Sequence, residues 1–134
     1  MKTHNGSCHC GAVTFTITGE ITNGLACNCS YCLRKGTLLA FFPASQFTIQ
    51  SGEDNLTEYR FNKKVISHLF CKTCGVQGFG RGAAPDGTAT VAINVRCVEG
   101  IDLDTLETPN YNGTDSQLIT PITNTQDSAR GDFR

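Results

Sequence analysis

Three thiols stand within six residues in Cys27-Asn28-Cys29-Ser30-Tyr31-Cys32. This spacing lets all three sulfurs meet one ion if the backbone runs extended and then curls into a turn. A structural zinc normally takes four protein ligands, whereas a catalytic zinc keeps one position open. The chemistry of the stretch therefore turns on whether the remainder of the chain offers a fourth ligand.

The chain has eight cysteines, and their spacing is that of metal ligands. Cys8 and Cys10 form a CxC, Cys71 and Cys74 a CxxC followed by Gly75, and Cys97 stands alone. Disulfide frameworks usually pair cysteines distant in sequence and belong to oxidising compartments. A CxxC followed by glycine suits a knuckle, because glycine accepts the backbone angles that close the turn. Sheet formation can bring the two knuckles together as a closed four-thiolate site of Cys8, Cys10, Cys71 and Cys74. An iron–sulfur cluster could use the same ligands, but paired knuckles favour zinc. Cys27, Cys29 and Cys32 are left with an open position or with a fourth ligand from Cys97, His68 or His9. Each of these three has a plainer reading: Cys97 as a small buried hydrophobe, His68 as a core or edge histidine, and His9 as an exposed polar residue between two ligands.

If the position is open, a zinc ion there lowers the pKa of an incoming thiol and holds it as a thiolate beside an electrophilic carbonyl. Thiol transfer or carbon–sulfur bond formation follows from that arrangement. Three thiolates also leave the ion with net negative charge, which blunts its acidity and makes it easier to lose. The competing readings are a labile or redox-sensing thiol site and a non-enzymatic zinc-binding interaction module.

Short strands must position these sulfurs. Val13–Thr18 alternates apolar and hydroxyl residues with period two, the pattern of a half-buried strand. If that strand begins early, Cys8 and Cys10 point to one face and His9 away. Asn23-Gly24 turns the chain into Leu25-Ala26-Cys27, and Ser30 can cap a short helix that Gly36 ends. Leu38–Phe42 is a continuous apolar run, expected to be a strand buried on both faces and stopped by Pro43. Phe47–Ile49 and Leu56–Phe61 flank the polar Ser51–Asn55 and read as a hairpin. Val65–Phe70 and Thr90–Val95 are further strands. Phe79-Gly80-Arg81-Gly82 reads as a flexible glycine-rich rim, Asp102–Leu106 as one helical turn, and Pro109–Gly113 as a closing loop. Seven or so short strands with little helix imply an all-β domain over residues 1–115, followed by a loosely packed polar tail over 116–134.

Composition excludes several classes. The chain has 134 residues, 11 Lys and Arg against 12 Asp and Glu, and a net charge of -1. One core is expected, without a basic field to attract nucleic acid. The longest apolar run, Leu38–Phe42, is far too short to span a bilayer, and residues 1–6 lack the apolar stretch of a secretory signal. These features point to a soluble cytoplasmic protein, with neither nucleic acid nor membrane as partner.

Gly6-Ser7-Cys8-His9-Cys10-Gly11-Ala12-Val13, Cys27–Cys32, His68–Gly75 and Asn94-Val95-Arg96-Cys97 together resemble, in order, the motifs of the glutathione-dependent formaldehyde-activating enzyme family. The resemblance covers residues 6–113 and implies an Mss4-like fold, a β-tent of layered antiparallel sheets. It implies a structural zinc on Cys8, Cys10, Cys71 and Cys74 and a second zinc on Cys27, Cys29 and Cys32. The activity it implies joins glutathione and formaldehyde into S-hydroxymethylglutathione, a carbon–sulfur lyase reaction between a small thiol and a small aldehyde. Among the basic residues, Arg81 and Arg96 are the candidates to meet the carboxylates of such a thiol.

Overall fold

A computed structural model of the chain describes residues 2–60 and 66–111. The expected tail over 116–134 lies outside these residues. In chain order the elements are β1 (Thr3–Ser7), β2 (Thr14–Thr18), β3 (Ala26–Cys27), α1 (Ser30–Lys35), β4 (Leu39–Pro43), β5 (Phe47–Ser51), β6 (Leu56–Tyr59), β7 (Ser67–Cys71), β8 (Phe79–Ala83), β9 (Ala89–Asn94) and β10 (Asn110–Tyr111). The fold is all-β with one short helix, as the sequence implies. Two antiparallel sheets carry it, a three-stranded sheet in the order β1-β2-β5 and a five-stranded sheet in the order β4-β9-β8-β7-β6. A short parallel pairing of β10 with β3 closes the described chain, so Asn110 and Tyr111 are strand rather than loop.

Cross-strand register assigns each residue of the larger sheet to one face, because paired residues share a face and neighbours alternate. Ala40, Ile93, Phe79, Leu69 and Glu58 form one row. Four of them join the main core with Phe15 and Ile17 of β2 and Phe47 and Ile49 of β5. Phe79 makes the joint between the sheets: its ring centre lies 5.6 Å from Phe15 and 4.7 Å from Phe47, tilted or edge-on as ring quadrupoles favour. The adjacent row, Phe41, Ala92, Gly80, His68 and Tyr59, faces the other way. Ala92 there packs with Leu39 against the sulfurs of Cys27, Cys29 and Cys32.

Several local expectations change with tertiary pairing. β4 is an edge strand whose faces differ: Phe42 is buried with the core, while Phe41 on the opposite face is 41% exposed. Pro43 is its last residue, where a missing N–H costs least. β5 and β6 do not form a hairpin, because β5 pairs with β2 and β6 with β7. Each strand has an apolar face to bury, and each finds its partner in a different sheet. Phe79–Ala83 is a strand in the interior of the larger sheet, not a flexible rim, since β7 and β9 pair with it on either side, Gly80 lying between His68 and Ala92. β1, Thr-His-Asn-Gly-Ser, has no apolar residue to signal it and exists through its backbone pairing with β2. The turn over Asp102–Leu106 is present, with the Leu106 N–H donating to the Asp102 carbonyl at 3.1 Å.

Gly52 turns the chain from the smaller sheet to the larger. Its φ is +82°, and a Cβ there would stand 2.1 Å from the carbonyl oxygen of Ala12. Gly36, at the end of α1, has a comparable φ of +73° with nothing within 4 Å of a Cβ. Gly36→Ala should therefore cost about 1 kcal/mol, the left-handed penalty alone, while Gly52→Ala adds a backbone clash and should cost about 3 kcal/mol or more. Chemical denaturation of the two variants beside the parent checks this, and equal losses would contradict the close approach at Gly52.

Candidate metal centres

Cys8 and Cys10 do not extend β2. They lie in the bend between β1 and β2, which closes on itself through Cys8 N–H to Val13 carbonyl at 3.0 Å and Val13 N–H to Cys8 Sγ at 3.4 Å. Gly11 at φ +86° makes that reversal possible. The second knuckle starts at the end of β7. Gly75 N–H returns to the Cys71 carbonyl at 2.9 Å, and Cys71 N–H reaches the Val76 carbonyl at 3.1 Å. The two knuckles meet, with Cys10 Sγ 3.7 Å from the sulfurs of both Cys8 and Cys71. The sulfurs of Cys8, Cys10, Cys71 and Cys74 all lie within 4.8 Å of one another. N–H groups point at them: the backbone bond from Cys74 and that from Thr73 hold Cys71 below the usual thiol range, and the Val76 N–H is the main cause that brings Cys74 down to about 6. Asn55 adds a side-chain donor to Cys71 at 3.4 Å. Cys10 goes the other way, pushed up to about 11 against the Ala12 N–H by burial and by the neighbouring thiols of Cys71 and Cys8. Soft sulfur donors, four in number and two of them held toward thiolate, fit one metal ion.

The second cluster sits on the opposite face of the larger sheet. The sulfurs of Cys27, Cys29 and Cys32 lie within 4.8 Å of one another. The cap of α1 is Cys29 rather than Ser30: its sulfur accepts the Cys32 N–H at 3.3 Å, and Gly36 ends the helix in the left-handed conformation. One backbone bend thus makes both a helix start and a three-sulfur pocket. Hydrogen bonds from Cys27 and Cys32 hold the Cys29 thiol down to about 3, while the bond to Cys29 pushes Cys27 up to about 12 and bonds to Cys27 and Cys29 push Cys32 up. Of the three thiols Cys29 therefore gives up its proton most readily and Cys27 and Cys32 hold theirs.

Neither Cys97 nor His68 belongs to this cluster. Cys97 is half-buried, its Sγ 3.6 Å from the Gln77 carbonyl and from Asn94 Nδ2, and burial pushes its thiol up to about 11. His68 is buried against Tyr31, with ring centres 4.2 Å apart, and burial pushes its pKa down. His9 is exposed. Arg81 lies on the core-facing side of β8, over the rings of Phe47 and Phe79 at 5.7 and 5.8 Å, beside an open groove of about 580 Å³ shared with Glu58, Arg60 and Ser67. It stands across the sheet from the three sulfurs. Arg96 donates from Nε to the Gly36 carbonyl at 3.1 Å and so buttresses the end of α1.

Sequence reading gave no role at the three-sulfur cluster to Tyr31 or Gln77. Tyr31, inside the CxCxxC itself, stacks with Tyr59 at 5.5 Å and donates its hydroxyl to Gln77. Lys35 Nζ lies 3.4 Å from the Gly75 carbonyl and 5.0 Å from the centre of the Phe70 ring. Tyr31 was detectable as an aromatic between two ligands, whereas Gln77 carries no motif.

An all-β domain with a four-sulfur and a three-sulfur cluster on opposite sides of one sheet defines a cysteine-rich candidate metalloprotein. Residues 3–109 match the family described as glutathione-dependent formaldehyde-activating enzyme, and this chain belongs to that family. It is also similar to a structural-genomics crystal structure of a Rhodobacter sphaeroides protein, with a TM-score of 0.70 and 31% identity over 79% of this chain and 98% of that one. Among the described residues no helix is long and apolar enough to cross a membrane.

Ion binding requires deprotonated sulfurs, so it releases whatever protons the free cluster holds. Because Cys29 is held down while Cys27 and Cys32 are pushed up, loading of the three-sulfur cluster should release about two protons, not three. Its apparent affinity should then rise by roughly two log units per pH unit near neutrality and fall correspondingly on acidification. Calorimetry in buffers of different ionisation enthalpy, with the four-sulfur cluster already loaded, measures the number directly.

Proposed function

We propose that this protein is a zinc-dependent carbon–sulfur lyase that joins, or in reverse releases, a small aldehyde and a low-molecular-weight thiol such as glutathione. One observation carries the reading. Cys27, Cys29 and Cys32 form a cluster of three sulfurs with no fourth cysteine or histidine grouped with them among the described residues, while a separate cluster already has four. The donor chemistry of both suits zinc. In this reading Cys8, Cys10, Cys71 and Cys74 hold a structural ion, and Cys27, Cys29 and Cys32 hold the ion at which the thiol binds. A zinc ion bound by these three residues would supply the acidity that keeps an incoming thiol as its thiolate at neutral pH.

The reaction itself is simple to balance. The thiolate sulfur donates an electron pair to the carbonyl carbon, a carbon–sulfur bond forms, and the carbonyl oxygen takes up the proton that the thiol gave. The chain must hold that proton in the interval. His68 is suited to this task, because burial keeps its imidazole neutral and because it lies against Tyr31, between the ligands Cys29 and Cys32. Tyr31, whose pKa burial pushes up, stays a neutral phenol, with its hydroxyl committed to Gln77. Arg81, across the sheet, is poorly placed to meet the same substrate molecule, while Arg96 supports the cluster through the end of α1. All eight cysteines are free thiols, a state that a reducing compartment such as the cytoplasm preserves.

Exchange NMR of glutathione and formaldehyde with the two-ion protein should show adduct formation and breakdown faster than in buffer. Cys32→Ser should abolish the acceleration while the four-sulfur ion stays bound. A two-ion protein that accelerates nothing would leave both ions structural and the chain an interaction module.

A further inference from the structure

Gln77 ties the two clusters together mechanically. It follows directly on the turn that carries Cys71 and Cys74, since the carbonyl of Val76 accepts the Cys71 N–H at 3.1 Å. Its own carbonyl accepts Asn94 Nδ2 at 2.9 Å, and Asn94 Oδ1 in turn accepts the N–H groups of Arg96 at 3.2 Å and Leu38 at 3.4 Å. The main chain of Gln77 is therefore held whatever its side chain does. The residue is 6% exposed. Its side chain reaches over β8 at Gly80, where a Cβ would stand 3.7 Å from Gln77 Nε2 and 3.0 Å from the Ser67 carbonyl oxygen. Beyond Gly80, on the face that carries Cys27, Cys29 and Cys32, Gln77 Oε1 accepts the hydroxyl of Tyr31.

We propose that Gln77 is a positioning residue for the three-sulfur cluster: anchored on the four-sulfur knuckle, it grips Tyr31 between Cys29 and Cys32 and so sets how the three sulfurs converge. The inference rests on the reading that both clusters hold metal ions. Tyr31 sits in the first turn of a six-residue helix, too short to hold its shape by its own hydrogen bonds. The half-buried Tyr31 hydroxyl bonded to the buried Gln77 amide is a local restraint, because a buried amide oxygen left without its partner costs free energy. Outer partners of metal ligands commonly change metal affinity 10- to 100-fold when removed. The Lys35 contact with the Gly75 carbonyl is a second tie between helix and knuckle, but it is exposed and long at 3.4 Å.

The test uses the full chain loaded with two zinc ions and follows release of each to a chromogenic chelator. Gln77→Met keeps the volume and the main-chain anchors but removes the acceptor, and Tyr31→Phe removes the donor from the other end. Each should speed release from the three-sulfur cluster by about 10- to 100-fold and leave release from the four-sulfur cluster as in the parent. The double variant should be no faster than either single one, because both cut the same bond. Gln77→Glu, which retains an acceptor oxygen, should restore slow release. In the cobalt-loaded proteins, the absorption bands of the three-sulfur site should shift in Gln77→Met and Tyr31→Phe alike. Parental rates in both single variants, additive effects in the double variant, or equal acceleration at both clusters would overturn the positioning role. A parent chain that binds only one ion would overturn the metal reading and this inference with it; two ions with unchanged release in the variants would overturn this inference alone.

Discussion

Four sulfurs held within 4.8 Å are the constraint on which the rest of the structure depends. Cys8 and Cys10 lie in the bend between β1 and β2 of the smaller sheet, and Cys71 and Cys74 lie at the end of β7 in the larger one, so their meeting staples the two sheets at one end. Sulfurs so close, two of them with backbone N–H groups pulling them toward the thiolate form, repel one another as thiolates unless a cation or shared protons stand between them. Structural zinc sites in small domains contribute on the order of 10–16 kcal/mol of apparent binding energy, comparable with the roughly 5–15 kcal/mol by which a whole domain is stable. A domain built this way folds around its thiols as much as around its phenylalanines.

The larger sheet then divides the work between its faces. Phe79, Ile93 and Val91 of the one face close the core against Phe15, Ile17, Phe47 and Ile49. The other face, where Ala92 and Gly80 present little or no side chain, leaves room for α1, Tyr31 and the three sulfurs. Small residues in the middle of a sheet usually weaken it. Here they make the depth in which a second cluster can sit, buried from water.

The two clusters differ in electrostatic character for a structural reason. In the four-sulfur knuckles backbone N–H groups lower Cys71 and Cys74. In the three-sulfur bend the thiols mainly hydrogen-bond one another, so one is lowered at the expense of the other two. The first cluster thus has two thiols lowered by the backbone, while Cys10 is pushed up to about 11. The second has one thiol lowered and two raised, and it too must give up protons to accept an ion.

How much of this was legible in the sequence depends on the range of the interaction involved. Ligand convergence is a short-range matter: CxC, CxxC and CxCxxC dictate which sulfurs can meet within one turn, so both clusters, the helix end at Gly36 and the family itself could be read directly. The period-two alternation of Val13–Thr18 and the apolar Thr90–Val95 likewise announced their strands. Sheet membership is long-range, and there local pattern failed. Nothing in Thr3–Ser7 distinguishes a strand from a loop until β2 lies beside it. Phe79–Ala83 looks like a glycine-rich rim until two neighbours hydrogen-bond it. The segments around Ser51–Asn55 look like a hairpin until each meets a different sheet. The same holds for the surroundings of the three sulfurs. The sequence by itself determined which residues can gather an ion; only the tertiary structure decided that Arg81 would stand across the sheet from them and that Gln77 would reach Tyr31. Register and facing are set by partners far along the chain, whereas a knuckle is closed by its own few residues.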